Sequence, residues 1–140
     1  MSHDNKQLAL DHVNRINAGD FAGAAALLAE DCVNHAAIPE AQGRRGFEAI
    51  LNKVRTAFPD MRHNVEDVLV DGDRVVIRTM CTGTQTGPFT FIRLEGPPSN
   101  KPVKFEQIHI LRVANGKITE MWMEQDSLAL FRQLGLKVSV

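Results

Sequence analysis

The sequence predicts an α+β domain in which helices cover one face of a curved antiparallel sheet and, with a short C-terminal helix, enclose a pocket. Three observations predict it. Apolar residues recur at helical spacing as far as Pro59 and alternate with polar ones after Asp60. Two turn signals, Asp71-Gly72 and Asn115-Gly116, each separate β-branched segments. The chain of 140 residues, 44% hydrophobic and 24% charged, has the size and composition of one domain spanning 1–140.

From Asn5 to Asn17, Ala9, Val13 and Ile16 recur at i, i+4, i+7 and define an amphipathic helix closed by Gly19. Asp20 is placed to cap a second short helix carrying Phe21, Ala24, Leu27 and Leu28 and ending near Asp31. After a loop with Pro39, Gly43 and Gly46, a third helix presents Phe47, Ile50, Leu51, Val54 and Phe58 on one face, and Pro59 stops it. Strands follow at 65–70 and 74–82 around the first turn, and at 103–113 and 117–125 around the second. The Gly- and Pro-rich stretch 87–102 between them reads as a mobile loop, and the final helix is capped by Asp126 and stopped by Gly135.

Composition excludes several classes of function. Sixteen Lys and Arg against seventeen Asp and Glu give a net charge of −1, without the basic patch that a nucleic acid or an anionic membrane requires. Cys32 and Cys81 lie far apart with no C-x-x-C or Cys/His cluster, so two reduced thiols and no metal site are expected. The start shows neither a signal peptide nor a membrane helix, which points to the cytoplasm. Neither a phosphate-binding glycine loop nor a Ser-His-Asp or Cys-His arrangement occurs.

The second hairpin decides which side chains enter the pocket, because its turn reads with two loop residues or with three. Two would set Trp122 opposite His109 and Glu124 opposite Gln107. Three, with Gly116 in a bulge, would set Met121 opposite His109 and Met123 opposite Gln107. The three-residue form is preferred, because Phe105, Gln107, His109, Leu111, Met121 and Met123 then share an inner face. Glu106, Ile108, Ile110, Arg112, Glu120, Trp122 and Glu124 form the outer one, suited to solvent or to another subunit.

Among these, His109 is the sharpest candidate: an acid or base near neutral pH, or else a buried neutral imidazole that only hydrogen-bonds a neighbour. His35, on the loop after the second helix, is expected at the pocket mouth, whereas His3, His12 and His63 sit in polar contexts and are expected in solvent. Asn14, one turn from Asn17, presents an amide either to a ligand or to water. Phe47 and Leu51 of the third helix, with Phe105, Met121, Met123 and Trp122, complete the expected binding surface.

Several segments resemble the SnoaL-like polyketide cyclases of the NTF2-like superfamily: VNHA at 33–36, GRRGFEAILNKVRTAFPDMR at 43–62 and GDRVVIR at 72–78. GTQTGPF from Gly83, PVKFEQIHILRVANGKITEMW at 102–122 and DSLALFRQLG at 126–135 extend the likeness over nearly the whole chain. The resemblance implies a cone-shaped NTF2-like domain, a homodimer or homotetramer, and ring closure by intramolecular aldol addition on an apolar carbonyl substrate without a cofactor. It places the site at Gln107 and His109, with His35 nearby. Where the family commonly reads E-H-W-D, this chain reads Glu120-Met121-Trp122-Met123, so Met123 stands at the acid/base aspartate; either His109 or His35 takes that role, which is the preferred reading, or a carboxylate such as Glu124 or Asp126 reaches in by a different register. A non-catalytic ligand-binding protein, or an isomerase or dehydratase on the same scaffold, are the competing readings.

Overall fold

The computed structural model describes residues 2–91 and 94–137. Helix α1 spans Ser2–Asn17 and α2 spans Phe21–Ala26, joined through Gly19. Asp20 caps α2 as expected, its carboxylate accepting from Gly23 N at 2.9 Å. Helix α3, Gly43–Ala57, begins a turn earlier than its apolar stripe suggested. Gly46 lies within that first turn because a Cβ there would meet the backbone of Ala41, in the 3-10 turn Pro39–Ala41, at 2.3 Å.

The second helix does not run on to Asp31. Leu28–Asn34 forms a strand, β1, between α2 and α3. Its register shifts between Leu28 and Val33, and Glu30, midway between buried Leu28 and Cys32, is exposed, so no run of alternating apolar residues marks the strand in the sequence. Ile118 N donates to Leu27 O at 2.9 Å and His35 N to Met121 O at 2.9 Å, tying both ends of β1 to the strand beside it.

Strands β2 (Arg62–Asp71) and β3 (Arg74–Thr84) form the first hairpin. Strands β6 (Pro102–Ala114) and β7 (Lys117–Gln125) form the second. The stretch read as a loop contains two short strands, β4 (Phe89–Phe91) and β5 (Leu94–Gly96), paired antiparallel. Buried Phe89 meets Phe58 edge-on at 6.1 Å, which gives that segment an apolar anchor. Helix α4, Ser127–Gln133, follows Asp126, whose carboxylate accepts from Ala129 N at 3.0 Å.

The main sheet has the order β1-β7-β6-β3-β2. It is antiparallel except for β1, which runs parallel to β7 at one edge and corrects the wholly antiparallel expectation. The sheet is curved and open, and helices pack on its concave face. One core cluster joins α1 and α3 to the sheet through Val13, Leu51, Ile77 and Leu111. The other gathers Phe58, Phe89, Phe105 and Leu130 at the α4 end. No described helix is long and apolar enough to cross a membrane.

Candidate functional site

The turn between β6 and β7 has two residues, not three. Asn115 (φ 52°) and Gly116 (φ 72°) both adopt the left-handed conformation of a type I′ turn, and Ala114 pairs with Lys117. A register shift follows between Arg112 and Val113, so His109 pairs with Met123 and Gln107 with Gln125. The inner face is therefore the expected one, but each pair is displaced by two residues from the three-residue reading. The bulge restores the parity that a two-residue turn alone would have reversed.

That face closes one side of a cavity of about 670 Å³ between sheet and helices. Phe47 and Leu51 from α3, Phe105 from β6, and Met121 and Met123 from β7 line it, and so does Trp122, although it alternates onto the outer face of β7. Gln107 and His109 do so as well. Asn14 is exposed and does not reach it.

His35 itself is not among the lining residues, although Asn34, Ala36 and Ala37 on either side of it are. Its ring stacks on Trp122 at 4.8 Å and 10°, and its Nε2 lies 2.6 Å from Glu120 Oε2, on the outer side of β7. The backbone here stays at the cavity, and only the His35 side chain departs, held by Trp122 and Glu120. Glu120 continues outward to Arg112 (3.4 Å) and Arg112 to Asp73 (3.0 Å), and this pairing with His35 and Arg112 lowers the Glu120 pKa.

Two histidines expected in solvent are instead in the cavity wall. His12 is 3% exposed and His63 lines the cavity, while the side chain of His3 lies outside the described residues. His12 was readable from α1: it falls three residues after Ala9 and one before Val13, inside the apolar stripe. His63 is hidden by a bulge. Steps of two back from Val68 and Val70 would turn it outward, but the register shift between Val65 and Asp67 turns it in, opposite buried Cys81.

Each imidazole has a defined polarity. His12 Nδ1 is 3.1 Å from the Ala24 carbonyl, which can only accept, so Nδ1 carries the proton. His109 Nε2 donates to Gln107 Oε1 at 2.9 Å by the same argument. Gln107 Nε2 donates to Gln125 Oε1 (3.0 Å) and Gln125 Nε2 to Ser127 Oγ (3.0 Å), a chain that fixes His109 from behind. The Cys81 thiol, pushed up to about 11 by burial, keeps its hydrogen and lies 3.2 Å from His63 Nδ1. His63 Nδ1 thus accepts, and the ring's own proton rests on Nε2, toward Gln107.

Burial is the main cause that lowers all three pKa values, to about 4 for His12, about 4 for His63 and about 3 for His109. Mutual repulsion contributes further, since His63 and His12 both depress His109. At neutral pH the cavity presents three uncharged rings. Its described lining holds no Asp or Glu, and Lys53, exposed on α3, is its one cation. Among the described residues no three His, Cys, Asp or Glu side chains converge as metal ligands. The arrangement can accept or hold a proton without any fixed negative charge nearby.

The model of the SnoaL-like polyketide cyclase family matches residues 6–134. The chain belongs to the SnoaL-like polyketide cyclase family. TsrD from Streptomyces laurentii is similar over 98% of both chains, with 26% identity and a TM-score of 0.85. A candidate polyketide cyclase from Bacillus cereus ATCC 10987 shares 28% identity over 96% of this chain and 83% of its own, with a TM-score of 0.79. AclR from Streptomyces galilaeus, described as a candidate hydroxylase, shares 25% identity over 96% of this chain and 98% of its own, with a TM-score of 0.81. No curated protein matches the chain in sequence. The open sheet with its four helices is the NTF2-like fold of these SnoaL-like structures. Their descriptions span more than one activity, so the fold alone does not fix the chemistry of the cavity.

Proposed function

We propose that the protein catalyses cofactor-free enolate chemistry, an intramolecular aldol closure or related conjugate addition, on a small apolar carbonyl compound of polyketide type. The observation that carries this reading is a set of neutral imidazoles in an apolar cavity whose described lining has no carboxylate. His109 takes the proton from a carbon next to a carbonyl, and the C–H pair becomes the enolate. The enolate carbon attacks a second carbonyl of the same folded molecule, and the resulting alkoxide takes the proton back. The second amide hydrogen of Gln107, whose first is donated to Gln125, is directed to the oxygen on which charge develops.

A base whose conjugate acid is destabilised by burial is weak alone. It strengthens when an enolate forms beside it, because the ion pair is poorly screened inside the cavity. The apolar walls of Phe47, Leu51 and Phe105 hold the chain folded, so the two reacting carbons meet at high effective concentration. Met123 at the family's aspartate position supports the transfer of the acid/base role to histidine, and Met123 is the partner that pairs with His109. His35, bound to Glu120 outside the cavity, has no part in this scheme. We place the enzyme in the cytoplasm as a homodimer or homotetramer joined through the outer sheet face, where Ile108 is 44% exposed.

The test is α-deuterium incorporation into a panel of β-keto esters and enolisable aldehydes in D₂O, followed by NMR, with wild type and His109→Ala. Incorporation by wild type that collapses in folded His109→Ala is the expected result. Tight binding of the panel without incorporation would transfer the protein to the ligand-binding class.

A further inference from the structure

His12 and His109 each keep one ring nitrogen without a hydrogen-bond partner among the described residues: His109 Nδ1 is the base of the proposed reaction, and His12 Nε2 is an acceptor that the reaction does not use. The His12 ring is 3% exposed and stacks on Phe47 at 5.3 Å and 29°, and its Nδ1 proton is given to the Ala24 carbonyl. Nε2 therefore carries a bare lone pair, with no hydrogen-bond partner among the described residues. Every fully enclosed side-chain nitrogen and oxygen in those residues has one, so this atom opens onto the cavity that His12 lines. The other two imidazoles are tied to Gln107, directly on the sheet. A buried acceptor left without a donor is costly, and a bound ligand gains selectivity by supplying one.

We propose that His12 Nε2 accepts a hydrogen bond from a neutral hydroxyl of the ligand, and so selects flat apolar molecules bearing a phenol or an enol over their ethers and deoxy counterparts. The surroundings decide the donor's charge. An ammonium would enter a cavity whose described lining has no carboxylate, and an ionised acid would turn lone pairs toward a lone pair. A flat skeleton suits the walls, because Phe47, against which His12 stacks, faces the same space as Phe58 and Phe105. The inference rests on the enolate reading only in taking this cavity as the ligand site, and it requires no turnover.

The experiment compares 2-naphthol, 2-methoxynaphthalene and naphthalene, titrated into wild type and into His12→Phe, which keeps a ring against Phe47 and removes the lone pair. Wild type should prefer 2-naphthol to both others by about 5–10-fold, the yield of one neutral hydrogen bond, and His12→Phe should lose that preference. In wild type the ¹⁵N resonance of His12 Nε2 should move with 2-naphthol and stay with the ether, which settles the matter even where the variant does not fold. Equal affinity for naphthol and ether, an unmoved Nε2 resonance, preference retained in His12→Phe, or no binding of any of the three would each overturn the proposal. Naphthol selectivity with no α-deuterium incorporation would strike the enolate reading and leave this one standing.

Discussion

The two faces of one sheet put the same residue types to opposite uses. On the inner face, His109 sits among Phe105, Leu111 and Met121, and burial with two neighbouring imidazoles holds it neutral. On the outer face, His35 meets Glu120, and charges run in ladders through Arg112 to Asp73 and through Arg78 to Asp67 and Glu106. A position's side of the pleat, not its residue type, sets its chemistry. A single-residue slip in β6 or β7 would exchange the two environments, and the bulge after the Asn115-Gly116 turn is what fixes the register.

The sharpest way to break this contrast is to remove one histidine from each face. His109→Ala should lower α-deuterium incorporation by about 10²–10⁴-fold, the usual contribution of a general acid/base, while His35→Ala should stay within about twofold of wild type. Equal losses in both variants would erase the distinction.

Acid stability is the next largest effect. An inner imidazole binds its proton more weakly folded than unfolded, so between about pH 6.5 and 4 the unfolded state holds more protons and stability falls as pH falls. His12, lowered from 6.5 to about 4, corresponds to about 3 kcal/mol lost across that window, complete once pH drops below the folded value. Urea unfolding of wild type and His12→Phe at several pH values measures it, and the variant should show a shallower decline.

Packing gives a third comparison along β6 itself. Leu111 is 2% exposed on the inner face and Ile108 is 44% exposed on the outer. Leu111→Ala should cost about 2–5 kcal/mol and Ile108→Ala about 0.5 kcal/mol or less, read from urea midpoints at pH 7. The smallest effect is expected at the outer ladder: Arg112→Ala should leave the midpoint within experimental scatter, because the side chains of Arg112 and its partner Asp73 are solvent-exposed and its contact with half-buried Glu120 is long, at 3.4 Å.

How much was legible in the sequence follows from the same bulges. The caps Asp20 and Asp126, the places of both hairpins and the inner face of β6 were readable from local rules, but the pairing across the second hairpin was not, because its bulge moves each pair by two residues. β1 was not readable, because its irregular pairing hides the period of two. His63 was lost to the bulge in β2, and the direction of the His35 side chain was not readable because tertiary contacts with Trp122 and Glu120 set it. His12 carried a usable signal, its place in the α1 stripe, which its polar neighbours Asp11 and Asn14 obscured.

The central claim is that a neutral imidazole of the cavity wall moves the proton, and the most direct measurement is the pD profile of α-deuterium incorporation between about pD 8 and 5. With His109 lowered to about 3 by burial, the base form is fully populated throughout that range. A flat profile, abolished in His109→Ala, is the predicted result. A profile that falls with a midpoint between about 6 and 7, or an undiminished rate in His109→Ala, would contradict the account.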